Sequence, residues 1–189
     1  MWNEQIIMML LEGIKDTLYM TLTSTLIGYV IGLPMGILLT VTDKDGIHPN
    51  TAVYKVLDVI ANLIRSVPFL ILLIVLIPFT RFLIGRSYGP TATIVPLVIA
   101  AAPYIARMVE SSLKEVDAGV IEAARSMGAS NFTIVTKVML VEARTSLIVG
   151  ATISLGTILG YSAMAGTVGG GGLGDIESAM VIPDGRPIS

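Results

Sequence analysis

Four long apolar runs decide what this 189-residue chain can fold into. Crossing the roughly 30 Å hydrocarbon core of a bilayer takes about 20 largely apolar residues in a helix, and at that depth the helix must satisfy its own backbone amides. Thr17 to Val41 holds 25 residues without a charge, and Ser87 to Ala106 holds 20. Ser66 to Ile84 carries only Arg81, near one end where a long side chain can snorkel. Ser66-Val67-Pro68 suits a helix start there, because proline is tolerated in the first turn. Thr145 to Gly174 is uncharged over 30 residues, too long for one untilted helix at about 1.5 Å per residue. Its glycine-rich end, from Gly166 onward, is expected to be irregular backbone. The expected fold is an all-α, polytopic membrane protein, one domain over residues 1–189. Its spans lie at about 17–41, 66–84, 87–106 and 145–165, with a connecting loop at 107–144 and a tail at 175–189.

Composition agrees. Hydrophobic residues make up 53% of the chain and charged residues 14%, with a mean hydropathy of +0.81, where soluble domains carry about 25% charged residues. A net charge of −2 without clustered Lys/Arg excludes nucleic acid as a partner. The absence of cysteine excludes disulfides, thiolate nucleophiles and Cys-based metal sites. His48, among Gly46, Pro49 and Asn50, reads as a solvated turn residue; zinc takes three or four protein ligands, and no metal site is expected. Residues 1–16 set Glu4, Glu12 and Asp16 against Lys15 alone. They read as an amphipathic lead-in to the first span rather than a cleavable signal.

Charge placement orients the chain. With the N-terminus outside, the loops 42–65 and 107–144 are cytoplasmic and hold eight basic residues: Lys44, Lys55, Arg65, Arg107, Lys114, Arg125, Lys137 and Arg144. Lys15, Arg81, Arg86 and Arg186 remain outside. The positive-inside rule favours this orientation, which places residue 128 in the cytoplasm and residues 3, 86 and 189 outside.

Within the runs, Gly28, Gly32 and Gly36 form two overlapping G-x-x-x-G steps, and Gly156 and Gly160 repeat the step. Such faces let helices approach closely, within or between subunits. Pro34, Pro78, Pro96 and Pro103 mark bends, read equally as packing features or hinges. Gly169 to Gly174 matches G-x-G-x-x-G, but no strand precedes it, and the acidic residue expected about 20 positions on would fall beyond Ser189; a dinucleotide site is rejected. No G-x-x-x-x-G-K-[ST] occurs, so any ATP that drives this protein is bound by another chain. The expected spans hold no carboxylate, which disfavours a proton-coupled carrier.

The loop 107–144 is the best candidate for function. Val120 to Met127 has helix-forming residues, with Ile121, Ala124 and Met127 toward one side, and Gly128 suits a left-handed stop. Ser130 suits the N-cap of a second helix carrying a stripe of Phe132, Val135, Val138 and Met139. Two helices meeting at Gly128 make an elbow with Glu122 and Arg125 at its rim. It reads either as a docking element or as a solvated connector.

Glu122-Ala123-Ala124, Gly128 and Val138-Met139-Leu140 resemble the EAA loop of the inner-membrane permeases of binding-protein-dependent ABC importers. Arg65-Ser66-Val67-Pro68-Phe69, Ile77-Pro78-Phe79-Thr80-Arg81, Ala101 to Glu110 and Gly160 to Gly166 are similar to the permeases of methionine-uptake importers. The likeness runs from about Ile14 to Asp175. It implies a multi-pass subunit of a bacterial cell membrane with no catalytic residue, a second copy of the permease, and two cytoplasmic ATPase subunits. Those subunits receive Glu122, Ala123, Ala124 and Gly128 as coupling residues, and they bind the ATP and magnesium, so no cofactor is expected on this chain. An extracytoplasmic binding lipoprotein would deliver methionine, in either enantiomer. The EAA pattern ends in Leu-Pro, whereas Leu140-Val141 stands here, which predicts a softer turn. The family pattern has five spans against four expected here, because Glu177, Pro183, Asp184, Arg186 and Pro187 leave no crossing run between Ile176 and Ser189.

A gate is expected on the last span, where Thr157, Tyr161, Met164 and Val168 share a helical face. Tyr161, Ser162 and Met164 would give a thioether substrate apolar, adaptable walls with an occasional hydroxyl; the competing reading of Met164 is core filling. Alternatives to methionine are another amino acid or a quaternary ammonium osmolyte. Outside transport, the alternative is a membrane scaffold.

Overall fold

The computed structural model describes residues 4–180, and every regular element among them is helical. In chain order these are α1 (Glu4–Thr42), α2 (Thr51–Ser66), α3 (Phe69–Val75), α4 (Ile77–Ile84), α5 (Pro90–Lys114), α6 (Ala118–Ser126), α7 (Asn131–Thr133), a π-helical stretch (Ile134–Met139), α8 (Leu140–Glu142), α9 (Arg144–Gly166) and α10 (Leu173–Met180). Among the described residues, three helices are long and apolar enough to cross a membrane: residues 6–42 of α1, α5 and α9. The count is four if α2 and α3 form one broken span.

The expected span at 145–165 matches α9, and that at 17–41 lies within α1. The lead-in is no separate element: with no breaker before Pro34, the chain stays helical from Glu4. The span expected at 66–84 is corrected to two short helices meeting at Leu76. Pro78 lacks an N–H and its ring opposes the carbonyl four residues back, which ends α3. The same segment begins where Pro68 takes an extended conformation and caps α3. The loop at 42–65 is corrected as well. Asn50 accepts a hydrogen bond from the Val53 N–H at 3.2 Å, and a 16-residue helix follows. The third span runs on past Ala106 to Lys114, so the connecting loop begins eight residues later than expected. Residue 3, the tail beyond Met180 and residue 189 lie outside the described residues.

The chain divides into two compact units. Unit 1 comprises residues up to Ile27, Val67–Ala100 and Leu155 onward; unit 2 comprises Gly28–Ser66 and Ala101–Ser154.

In unit 1 the glycine-rich segment is a packed connector. Gly169, Gly171 and Gly172 all have positive φ, near +80°. The Gly89 N–H donates to the Gly169 carbonyl at 3.0 Å, Thr93 Oγ1 to the Gly170 carbonyl at 3.1 Å, and the Leu173 N–H to Thr17 Oγ1 at 2.9 Å. A Cβ on Gly171 would lie 2.8 Å from Pro90. These glycines are required by backbone conformation and close approach, which is a complete account of the G-x-G-x-x-G spacing. The irregular stretch expected from Gly166 onward is corrected to end at Gly172, since α10 begins at Leu173.

In unit 2 the first glycine stripe packs as expected. Gly28, Gly32 and Gly36 of α1 face Ala101, Ala102, Ile105, Ala106 and Val109 of α5, all of them buried. At Gly156 and Gly160, which belong to unit 1, a Cβ would by contrast meet nothing within 4 Å outside its own helix.

Candidate functional site: the helical elbow and its polar support

The elbow forms in unit 2. Asp117, a cap absent from the sequence reading, accepts from the Gly119 N–H at 2.7 Å and starts α6. Gly128 closes the helix at φ +81°, with its N–H on the Arg125 carbonyl at 2.9 Å and the Ala129 N–H on the Ala124 carbonyl at 3.1 Å. Two otherwise unpaired carbonyls are thereby satisfied. Ser130 caps the next segment as expected, accepting from the Thr133 N–H at 3.2 Å. That segment winds as a π-helix from Ile134 to Met139, a wider turn than an ordinary helix.

This winding resets the expected stripe. Ile134, Val135 and Met139 are buried, whereas Phe132 is 78% exposed. On α6, Ala124 is buried, Ile121 is half-buried and Met127 is 82% exposed. Glu122, Ala123 and Gly128 stand exposed. The residues expected to couple are thus brought together on one elbow: Ala124 is buried, while Glu122, Ala123 and Gly128 are exposed. Val141 lies within α8, and the chain reaches α9 through Ala143 without a proline turn.

Behind the elbow, the turn at residues 43–47, the end of α5 and α6 enclose an open cavity of about 590 Å³. Arg125 crosses to donate to the Ile47 carbonyl at 2.9 Å. On α5, Arg107, Glu110 and Lys114 lie on one face. Arg107 pairs with Glu110 at 2.7 Å and with Asp58 of α2, and Lys114 bridges Glu110 at 2.8 Å and Asp43 at 2.6 Å. Glu110 is only 5% exposed, so its carboxylate depends on these two cations. Removing one partner of a buried pair costs about 3–5 kcal/mol because the other charge is stranded. The Lys114 ammonium, by its hydrogen bond, holds the Asp43 carboxyl below the usual carboxylate range. Sequence reading had counted Arg107 and Lys114 only as orienting charges. The signal that was available is spacing: Tyr54, Asp58 and Asn62 fall at intervals of four on α2, and Arg107, Glu110 and Lys114 at three and four on α5.

The residues expected at the gate belong to unit 1 and do not share one environment. Tyr161 stacks on Phe69 with ring centroids 4.6 Å apart and planes at 7°. Ser162 is buried, receives the Thr21 hydroxyl at 3.4 Å and donates to the Leu159 carbonyl at 2.8 Å. Met164 is 47% exposed, so it does not fill the protomer core. No cluster able to hold a metal occurs among the described residues.

The family model for the inner membrane component of binding-protein-dependent transport systems matches residues 8–179. The D-methionine transport system permease protein of Escherichia coli strain K12 is 51% identical over 164 residues, covering 87% of this chain and 76% of that protein. Its counterpart in Salmonella typhimurium strain LT2 shows the same identity and coverage. Among solved structures, the native crystal form of the inward-facing MetNI methionine ABC transporter contains a chain 50% identical to this one, with a TM-score of 0.92, covering 94% of this chain and 82% of that one.

Proposed function

Because the chain belongs to the family of inner membrane components of binding-protein-dependent transport systems, we propose that it is the permease subunit of an ATP-driven importer that moves methionine, in either enantiomer, across a bacterial inner membrane. The elbow carries the reading. Exposed apolar residues on the long helices suit lipid contact, but Met127 and Phe132 are 82% and 78% exposed on a polar connecting segment beside Glu122 and Arg125. An exposed apolar pair rimmed by charge fits a groove on a soluble partner.

In this reading two partner ATPase subunits bind ATP and magnesium, and each receives one elbow from a dimer of permeases. Their closure moves the elbow, and the dimeric pathway alternates its opening. Gly156 and Gly160, open along α9, suit close approach of a second copy. Met164 and Tyr161 line the gate, while Ser162, held by Thr21, fixes α9 to α1 from within. A binding lipoprotein delivers the substrate from outside. All eight basic residues assigned to the cytoplasm lie in unit 2, and Lys15, Arg81 and Arg86 lie in unit 1, consistent with the orientation read from charge.

The test is Gly128→Val and Glu122→Lys. Gly128 has open space around it but a φ of +81°, so a β-branched residue there costs about 1–2 kcal/mol in local backbone strain. Both variants should insert into the membrane normally yet lose co-purification with the ATPase and substrate-stimulated hydrolysis. Normal values for both would remove the docking role.

A further inference from the structure

A contiguous polar chain begins at the elbow and ends on α2, all of it inside unit 2. Arg125 of α6 holds the Ile47 carbonyl at 2.9 Å. Ile47 sits in a turn tied to the end of α1, with the Gly46 N–H on the Asp43 carbonyl at 2.9 Å and the His48 N–H on the Val41 carbonyl at 3.0 Å. From the same turn the Asp43 carboxylate takes Lys114, which also holds Glu110. Glu110 in turn takes Arg107, which grips α2 through Asp58 and through Asn62 Oδ1 at 3.1 Å. Tyr54 of α2 closes the loop with its hydroxyl 3.5 Å from Glu110.

We infer that this ion-pair chain is the mechanical link from the elbow to α1, α5 and α2, with Lys114 and Arg107 as its positioning residues. Apolar surfaces slide past one another at little cost, because any neighbouring carbon replaces the last. Charged contacts between elements cannot do so: displacing α5 against the end of α1 parts Lys114 from Asp43, and displacing it against α2 parts Arg107 from Asp58, while Glu110, on α5 itself, holds both cations in place. The elbow, the end of α1, α2 and the end of α5 are therefore bound to move together. Arg107 has three of its contacts on α2 and one on α5, and its buried Nε has no partner. Its hold on α2 thus rests on a single terminal nitrogen.

Spatial contiguity alone does not demonstrate coupling, so the experiment measures it. The inference rests on the elbow reading above, which Gly128→Val tests separately. Lys114→Met, Asp43→Asn and the charge-keeping Lys114→Arg are assembled with the ATPase and binding protein in vesicles. Methionine taken up per ATP hydrolysed should fall at least fivefold in Lys114→Met and in Asp43→Asn, with ATPase co-purification retained, and should be kept in Lys114→Arg. Spin labels at Val59→Cys on α2 and Val149→Cys on α9 report ATP-driven displacement with no substrate present, so failure of methionine as the substrate leaves the link testable. The displacement should be lost in Lys114→Met. An unchanged uptake ratio with unchanged displacement overturns the inference. So does an equal loss in Lys114→Arg, since that marks a general destabilisation.

Discussion

Gly32→Ala is the sharpest test of how α1 and α5 are held together. A Cβ at that position would lie 2.7 Å from the Ala102 carbonyl oxygen and 2.8 Å from Ile105 Cβ and Cγ2. Ordinary contact needs about 3.5 Å, so the helices must part by roughly 0.8 Å at this point, a gap that forfeits about a quarter to a half of each dispersion contact nearby. Both obstacles are backbone or branched carbons that cannot swing aside, which puts the cost at about 1–3 kcal/mol. The usual helix-propensity gain of alanine over glycine, about 1 kcal/mol in water, offsets little where the segment is already helical in lipid. Gly28→Ala meets the flexible Ile105 Cδ1 at 3.0 Å and should be milder. Gly156→Ala, with nothing within 4 Å, should leave the protomer unharmed. Melting of the detergent-solubilised protein should therefore rank Gly32→Ala below Gly28→Ala, and Gly28→Ala near wild type. At about 2–4 °C per kcal/mol for a chain of this size, the first shift is measurable. Gly32→Ala melting with the wild type, or Gly28→Ala melting below it, would refute the close-approach argument.

Three further outcomes are expected. Met164→Ala should raise basal ATP hydrolysis of the assembled complex with little change in melting, because a side chain 47% exposed contributes little core packing; lower melting at unchanged hydrolysis would take Met164 out of the gate. The ion pair at Asp43 makes stability depend on pH in a definite sense. Its carboxyl sits below the usual range in the folded state, so its contribution is complete above the unfolded value of about 3.9 and disappears as pH falls through the folded value. The melting gap between wild type and Asp43→Asn should be constant from about pH 5 to 8 and close below about pH 4. Because the chain has no cysteine, Gly128→Cys and Arg86→Cys provide single labelling sites; an impermeant thiol reagent on whole cells should label the second and spare the first.

Why some of this structure was legible in the sequence and some was not follows from the range of the forces involved. Caps and stops act over three or four residues, so Ser130, Gly128 and the end of α9 at Gly166 could be placed from local chemistry alone. A helix break needs only one proline ring against one carbonyl, yet its consequence depends on whether the halves remain collinear. The run from Ser66 to Ile84 was accordingly read with Pro78 as its marked position, and the helix does break just before it at Leu76, but as a single span. α2 was missed because a membrane reading weighs hydropathy first, and a helix carrying Lys55, Asp58 and Arg65 fails that measure while its Asn50 cap and apolar spacing pass unnoticed. The ion-pair chain was out of reach for a different reason. Arg107 and Asp58 stand 49 positions apart, and nothing local to either says that the other exists. A buried carboxylate such as Glu110 is tolerable only beside cations, and Arg107 and Lys114 on its own helix supply them; what those cations reach on other elements is the part no local pattern shows. Three polar residues at helical spacing on α5, read together with three on α2, answer one another across the gap, and the pairing of Arg107 with Asp58 is what that double spacing signals.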